Sequence, residues 1–359
     1  MSATDPSRGN LLGLDRTELE QLAIASGRPA YRGRQIYRAI YERRACAFDG
    51  LTELDRGSRD WLSADYRIKY PAVLNRFVSQ DESVRYLLEL EDGETIEAVF
   101  MPEEKRTTLC LSSQVGCAVD CRFCFTGLLG VRRNLEAGEI IGQVLALASD
   151  RGLSPDSRLN VVFMGMGEPL LNLAPVLKAV RIMADPHGLG ISLKRITLST
   201  SGIIPRILDL GREAIRPKLA VSLNASTEEQ RTALMPLNRK YPLGALLEAC
   251  RDYPLRPWEK LTFEYVLLDG INDSDLDAAR VADLIHGIRA KLNLIPYNPG
   301  PELPFRPSPL ERVLAFQEVL ARRHVPTFIR ISRGQDVNAA CGQLKLQGGV
   351  AGISSLPAP

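Results

Sequence analysis

The sequence predicts an α/β protein: an open, partial (β/α)6 barrel, preceded by a small N-terminal helical domain and a connecting β-hairpin. Three observations predict it. Short apolar runs alternate with helical periodicity from about residue 107 to residue 296, the rhythm of parallel strands covered on both faces by crossover helices. Two strand-like runs flank the turn Glu91-Asp92-Gly93-Glu94, and glycine tolerates the positive φ such turns use. Before them the spacing of apolar residues is helical. The expected segments are a helical accessory domain over residues 1–75, the hairpin over 76–105, the barrel with a C-terminal cysteine segment over 106–345, and a flexible tail over 346–359.

Taken in order, Thr17 followed by Glu20 fits a capping box ahead of Leu19, Leu22 and Ala23. A second helix is expected over 31–44 and a third over 54–62. The hairpin strands are 83–90 and 95–101. Barrel strands are expected at 107–112, 160–164, 195–199, 218–223, 261–267 and 292–296. Helices fall between them at 136–149, 174–184, 243–251 and 275–288. A last helix, 310–323, leads to a strand at 327–331, and residues 354–359 are expected to be disordered.

Composition bounds the function classes. The 359 residues suit one large or two unequal domains. With 45% hydrophobic and 25% charged residues, the profile is that of a globular protein. No apolar run approaches the roughly 18–20 residues of a membrane helix, and residues 1–8 carry no apolar signal core. The expectation is a cytoplasmic protein with no membrane partner. A net charge of +2 says little, but its distribution says more. From Arg28 to Arg44 the chain carries six arginines and one acid, Glu42, interleaved with Tyr31, Tyr37 and Tyr41. That excess suits a polyanion such as RNA, with aromatics for stacking. On the residues alone, a solvated helix face with packed tyrosines is the preferred reading, since charge runs usually just solvate.

Seven cysteines, an odd number, argue against a disulfide framework. His187, His286 and His324 lie far apart and near no acidic cluster, as surface or packing residues would. Immediately after the first barrel strand comes Gly116-Cys117-Ala118-Val119-Asp120-Cys121-Arg122-Phe123-Cys124. A [4Fe–4S] cluster takes four thiolates, so three from one loop leave an iron open to another ligand. A zinc knuckle short of its fourth ligand is the competing reading. It does not explain three cysteines on one loop at a barrel strand's end, where such folds place their chemistry.

Other strand ends carry companion groups. Strand two ends in Met164-Gly165-Met166-Gly167-Glu168-Pro169, where glycine allows close backbone approach and a carboxylate can meet an ammonium. Strands three, four and six end at Ser199-Thr200-Ser201-Gly202, Ser222-Leu223-Asn224 and Pro296-Tyr297-Asn298. Singly each is ordinary turn chemistry, with Glu168 a helix cap; their shared edge is the signal. Cys46 and Cys250 read as small buried hydrophobes in helical contexts. Cys110 lies on strand one. Cys341 sits in Ala339-Ala340-Cys341-Gly342-Gln343-Leu344, a small, glycine-flanked segment that suits an accessible thiol.

The triplet resembles the radical SAM signature, in which the open iron binds S-adenosyl-L-methionine (SAM). Together with Gly167-Glu168 and the Cys341 segment, the chain resembles the RlmN/Cfr family of radical SAM RNA adenine methyltransferases, from the 31–44 helix to Leu344. Ile96-Glu97-Ala98-Val99, Cys110 to Cys117 and Asn293 to Pro296 also match. The pattern is closer to the RlmN branch, which acts on adenine C2, than to the Cfr branch, which acts on C8.

The resemblance implies a partial (β/α)6 radical SAM barrel, one [4Fe–4S] cluster on Cys117, Cys121 and Cys124, and SAM held by Gly167, Glu168, Ser199, Ser222, Leu223, Asn224 and Asn298. It implies that one SAM methylates Cys341 and that a second yields the radical which activates that methyl group. The carbon then joins adenine, Glu97 acts as proton acceptor, and Cys110 releases the RNA through a transient disulfide with Cys341. The implied partners are 23S ribosomal RNA, transfer RNA and an external electron donor of flavodoxin type, with a monomeric chain expected. Thr95, Glu97, Val99 and Met101 share one strand face, which sets Glu97 among mostly apolar neighbours, where a carboxylate is driven toward base duty. Two residues depart from the family pattern. Asn224 stands where histidine is frequent, which puts its side-chain contact to SAM in doubt, and Phe125 follows the third cysteine where a small residue is common. A Cfr-like C8 methyltransferase and a non-enzymatic iron–sulfur RNA-binding protein are the alternatives.

Overall fold

The computed structural model describes residues 8–300 and 302–344. Its N-terminal part opens with a two-residue strand β1 (Gly9–Asn10) and helices α1 (Arg16–Ala25), α2 (Ala30–Tyr41) and α3 (Arg56–Asp65), followed by β2 (Tyr66–Arg67), which pairs with β1. The capping box of α1 sits two residues earlier than expected. Asp15 accepts from the Glu18 amide, and the Glu18 carboxylate reaches back to the Asp15 amide. Asp55 caps α3 by accepting from the Ser58 amide. Helix α2 stops at Tyr41, three residues short of expectation, because Arg44 takes a left-handed φ of 57° and turns the chain away.

Next come β3 (Ala72–Val78), β4 (Val84–Glu89), β5 (Thr95–Glu103) and β6 (Arg106–Cys110), an antiparallel meander. The expected junction near residue 75 falls inside β3. A short hairpin, β7 (Gln114–Gly116) with β8 (Val131–Asn134), brackets the cysteine loop and helix α4 (Phe125–Leu128). From there the alternation expected from sequence runs through α5 (Ala137–Asp150), β9 (Leu159–Phe163), α6 (Leu173–Ala184), β10 (Ile196–Thr200), α7 (Ile204–Arg212) and β11 (Lys218–Ser222). It continues through α8 (Glu228–Leu234), α9 (Leu243–Arg251), β12 (Leu261–Leu267), α10 (Asp275–Leu284), β13 (Ala290–Pro296), α11 (Leu310–Arg322) and β14 (Thr327–Ile329).

One sheet of ten strands results, in the order β14-β13-β12-β11-β10-β9-β6-β5-β4-β3. Strands β6 and β9 to β14 are parallel, and β5, β4 and β3 extend the same sheet antiparallel from β6. The hairpin is therefore no separate linker but a continuation of the barrel sheet. Apolar side chains of α5, α6 and α9 pack against the central strands, where Val161, Leu198, Leu219, Val221 and Phe263 are all shut off from solvent. Burial on both faces is what makes these strands read as continuous apolar runs. No helix among the described residues is long and apolar enough to cross a membrane. The residues expected to form the tail, 346–359, lie outside those described.

The basic stretch of α2 has the features of the solvated face with packed tyrosines. Arg32, Arg34 and Arg38 pair with Asp55, Glu20 and Glu42, and Arg43 pairs with Glu53. Tyr37 and Tyr41 are buried edge to face, leaving Tyr31 as the exposed ring. The acids lie mostly on other elements, so a linear count of charge overstates the free cations. Cys250 is buried in α9 as expected, whereas Cys46 is exposed in the turn after α2.

Candidate active site at the C-terminal edge of the barrel

The parallel strands end on a cavity that gathers Cys117, Cys121, Cys124, Gly167, Glu168, Ser199, Ser222, Asn224, Asn298 and Cys341. Leu223 is the expected residue that does not line it: its side chain is buried, and its backbone joins Glu264 and Arg231 instead. Glu97 and Cys110 stand behind the wall.

The cysteine loop leaves β7 and turns into α4. All three thiols are half-buried. Burial pushes the Cys117 thiol up to about 12. Burial also drives Cys121 well above the ordinary range, with Cys124 and Cys117 adding to it. A metal centre that takes up the thiolates removes the cost of charging them. Among the described residues no three such side chains converge on a single-ion position. Thiolates on separate irons of a cubane do not need to. Cys121 and Cys124 also pack against Phe123, Met235, Leu268 and Tyr297, an apolar shell of the kind that tunes a cluster. The donor set fits a three-thiolate [4Fe–4S] site. Phe125, the larger residue after the third cysteine, is accommodated by Gly300, where a Cβ would stand 2.2 Å from the ring.

Opposite the cysteines, Gly167 has φ 99°, and a Cβ there would lie 2.6 Å from the Gln114 side chain. Gln114 accepts from the Glu168 amide at 2.9 Å. The Glu168 carboxylate accepts from the Ser201 amide and hydroxyl, both at 2.7 Å, and from the Leu170 amide at 3.0 Å. It is thus both the cap of the following turn and a cavity wall. Burial raises its pKa, and the Ser201 contacts work against the rise. Gly167→Ala is expected to destabilise by on the order of 1–3 kcal/mol, the usual cost of forcing a side chain into such a conformation. Urea unfolding of the purified variant checks it, and an unchanged midpoint would contradict it.

Asn224 also lines the cavity, but its side chain is engaged within the protein. Its Oδ1 accepts from the Val266 amide at 2.9 Å, and its Nδ2 faces the Met235 sulfur. Asn298 is turned toward the cysteine segment, donating to Ser332 Oγ at 2.9 Å and to the Cys341 carbonyl at 3.2 Å.

Cys341 is exposed, yet crowding by protein atoms and the nearby Glu264 carboxylate raise its thiol to about 11. Its loop is held on two sides. The Phe125 amide donates to the Gly342 carbonyl at 2.8 Å, and Thr126 Oγ1 to the Leu344 carbonyl at 2.7 Å, docking it on the cysteine loop. From the hairpin, Ser79 Oγ donates to Asp336 at 2.5 Å, and Arg85 Nε to the Val337 carbonyl at 2.7 Å. Arg333 contacts Asp81. Cys110, at the end of β6, is buried; burial raises its thiol, and Cys341 adds to the effect. The two thiols are thus near enough to interact.

Glu97 on β5 is wholly buried rather than a cross-strand surface charge, the reading preferred without the family resemblance, but it is not among apolar groups alone. Arg85 of β4 forms an ion pair with it and also lies 4.0 Å over the Phe77 ring. Sequence reasoning missed Arg85, and it missed Glu264 and Arg231. Glu264 faces the cavity from β12, accepts from Asn293 Nδ2 at 3.0 Å, and is raised to about 7 by burial. A charged residue inside an apolar strand was the available signal.

Comparison with known proteins agrees with this geometry. Residues 111–282 match the radical SAM superfamily, and residues 9–68 match the ribosomal RNA large subunit methyltransferase N-terminal domain. The chain is 50% identical over 336 residues to a probable dual-specificity RNA methyltransferase RlmN of Koribacter versatilis, covering 89% of this chain and 96% of that one. It is 48% identical to the dual-specificity RNA methyltransferase RlmN of Syntrophobacter fumaroxidans, covering 91% and 95%. A crystal structure of a radical SAM methyltransferase from Sphaerobacter thermophilus superposes with a TM-score of 0.89 at 42% identity, covering 94% of this chain and 99% of that one. With family models matching both the barrel and the accessory domain, and relatives 50% and 48% identical along nearly its whole length, the chain belongs to the RlmN family of radical SAM RNA methyltransferases.

Proposed function

We propose that this chain methylates C2 of an adenine in 23S ribosomal RNA and in transfer RNA, carrying the methyl group on Cys341. The observation that supports it most is the pairing of an exposed thiol at the cavity, Cys341, with a buried thiol close behind it, Cys110. In this reading Cys117, Cys121 and Cys124 hold a [4Fe–4S] cluster. Gly167, Glu168, Ser199, Ser222, Asn224 and Asn298 form the walls against which SAM lies, with the Leu223 backbone behind them. Bound together, the cluster and SAM supply the radical chemistry that an unactivated aromatic carbon needs.

The protein's own groups do the rest. Cys341 bears the methyl as a thioether, and its carbon becomes bonded to C2. Glu97, oriented by Arg85, takes the proton that C2 gives up, and the one unpaired electron left by the radical addition would return to the redox centre that supplied it. The Cys110 thiolate then attacks the Cys341 sulfur. An S–S bond forms as the S–C bond breaks, and its electron pair, with a proton, completes the methyl group on adenine. An external two-electron reductant reopens the disulfide, and a flavodoxin-type donor supplies the reducing electrons.

With methyl-deuterated SAM as methyl source, the product methyl should carry two deuterons and one proton, because the carbon passes through a methylene on Cys341. Three retained deuterons would mean direct transfer. C2 is distinguished from C8 by chromatography and mass spectrometry of nucleosides from treated RNA against both standards. A C8 product makes this a Cfr-like enzyme, and no SAM turnover makes it a binding protein.

RNA is proposed to reach the open cleft formed by Arg16, Tyr31, Arg34, Arg38 and His187. Glu20 and Glu42 hold Arg34 and Arg38 there until phosphates replace them. Replacing both arginines by Gln should weaken RNA binding and reduce its salt slope by about one for each phosphate left without its arginine. Unchanged affinity and slope would make this a solvated face only.

A further inference from the structure

Arg231, on α8, has no solvent exposure at all. Its guanidinium donates to four neutral oxygens: the carbonyls of Ser201 (2.7 Å), Ser222 (3.2 Å) and Leu223 (3.3 Å), and Asn238 Oδ1 (3.0 Å). Among the described residues no carboxylate forms an ion pair with it, in contrast to the other buried arginine near the site, Arg85, which has Glu97. Glu228 reaches it only through Asn238, whose Nδ2 donates to Glu228 Oε2 at 2.7 Å. Ser201 and Ser222, whose carbonyls it holds, line the same cavity as Cys121 of the cysteine loop. The loop and the helix are fixed to each other, because the Arg122 amide donates to the Leu234 carbonyl at 2.9 Å. Burial lowers the arginine to about 10, still a cation at neutral pH.

A buried cation balanced only by neutral dipoles is costly, and proteins retain such a charge where an anion faces it. A [4Fe–4S] cluster on three thiolates is anionic, and it gains a further negative charge on reduction. We propose that Arg231 is the fixed counter-cation of the cluster, raising its reduction potential, and that the same side chain clamps the strand ends at Ser201 and Ser222 that wall the SAM site. It is a positioning and tuning residue, with no contact to RNA. The one-electron step involved is reduction of the oxidised cluster by the external donor. Fixed positive charge nearby stabilises the product of that step more than its reactant.

The inference rests on the cluster reading above. The test uses the full chain, anaerobically reconstituted, in a redox titration followed by electron paramagnetic resonance without RNA. Iron-free wild-type protein would sink the cluster reading itself. With iron bound, Arg231→Gln should hold about tenfold less reduced cluster at a fixed ambient potential, equivalent to a fall of about 59 mV for a one-electron couple. Arg231→Lys, which keeps the charge, should stay near wild type. Glu228→Gln, at an exposed position, should move the midpoint upward by removing an opposing charge. An iron-replete Arg231→Gln protein with the wild-type midpoint overturns the proposal. If the Gln variant takes up no iron while the Lys variant does, the charge is needed to hold the cluster and the proposal stands. If neither takes up iron, the sign of the Glu228→Gln shift decides, and no upward shift overturns it.

Discussion

Cys110→Ala should accumulate RNA covalently joined to Cys341. The variant loses a single buried sulfur at the end of β6, a change costing about 1 kcal/mol on the scale of one buried methylene, so the barrel survives. The cysteine loop, the Cys341 loop and Glu97 are untouched, and chemistry proceeds as far as the carbon–carbon bond to adenine. What is missing is the thiolate that attacks the Cys341 sulfur. The other cysteine outside the triplet on the barrel, Cys250, is buried in α9 and lines no part of the cavity. The expected result is a complex that survives denaturing gels, disappears on RNase treatment and maps by mass spectrometry to Cys341. Cys341→Ala should give no complex and no product. Normal turnover by Cys110→Ala would return it to an ordinary strand cysteine.

Loss of any one thiolate from the triplet should be as complete. Cys121→Ala is the most informative, because Cys121 packs against the apolar shell and lines the cavity beside Ser201 and Ser222. Two thiolates on a short loop do not replace three, so iron and sulfide should fall to background after reconstitution and 5′-deoxyadenosine formation should vanish. The chain should still fold, since removing a half-buried thiol leaves the sheet and its core intact. Far-ultraviolet circular dichroism separates the two effects. A variant with full iron content and normal 5′-deoxyadenosine would remove Cys121 from the cluster.

Much of this was legible because the signals are local. The parallel strands are apolar runs of the right length, and the cysteine triplet is contiguous. The pairing of Cys110 with Cys341 came from family resemblance alone, since spacing cannot bring together two residues so far apart. Other features failed for physical reasons. Asp15/Glu18 and Thr17/Glu20 are overlapping capping-box patterns in the sequence, and only the first forms, because the backbone of the preceding turn chooses between them. The α2 arginines find acids on other elements, such as Glu20 on α1 and Asp55 before α3. Arg85 was within reach of the sequence: once the hairpin pairs Arg85 with Val99 and Leu87 with Glu97, alternation puts Arg85 diagonally across from Glu97 on the same face.

The hairpin that continues the barrel sheet also determines when in folding the reactive thiol finds its place. Its contacts to the segment before Cys341, Ser79 to Asp336 and Arg85 to Val337, span 257 and 252 residues of sequence. Closing loops of that length costs entropy that local strand and helix formation does not, and contacts so distant in sequence form late. The parallel strands can assemble while the Cys341 segment is still undocked. The thiol proposed to carry a methyl group is therefore among the last to be positioned, after the cavity walls are already standing.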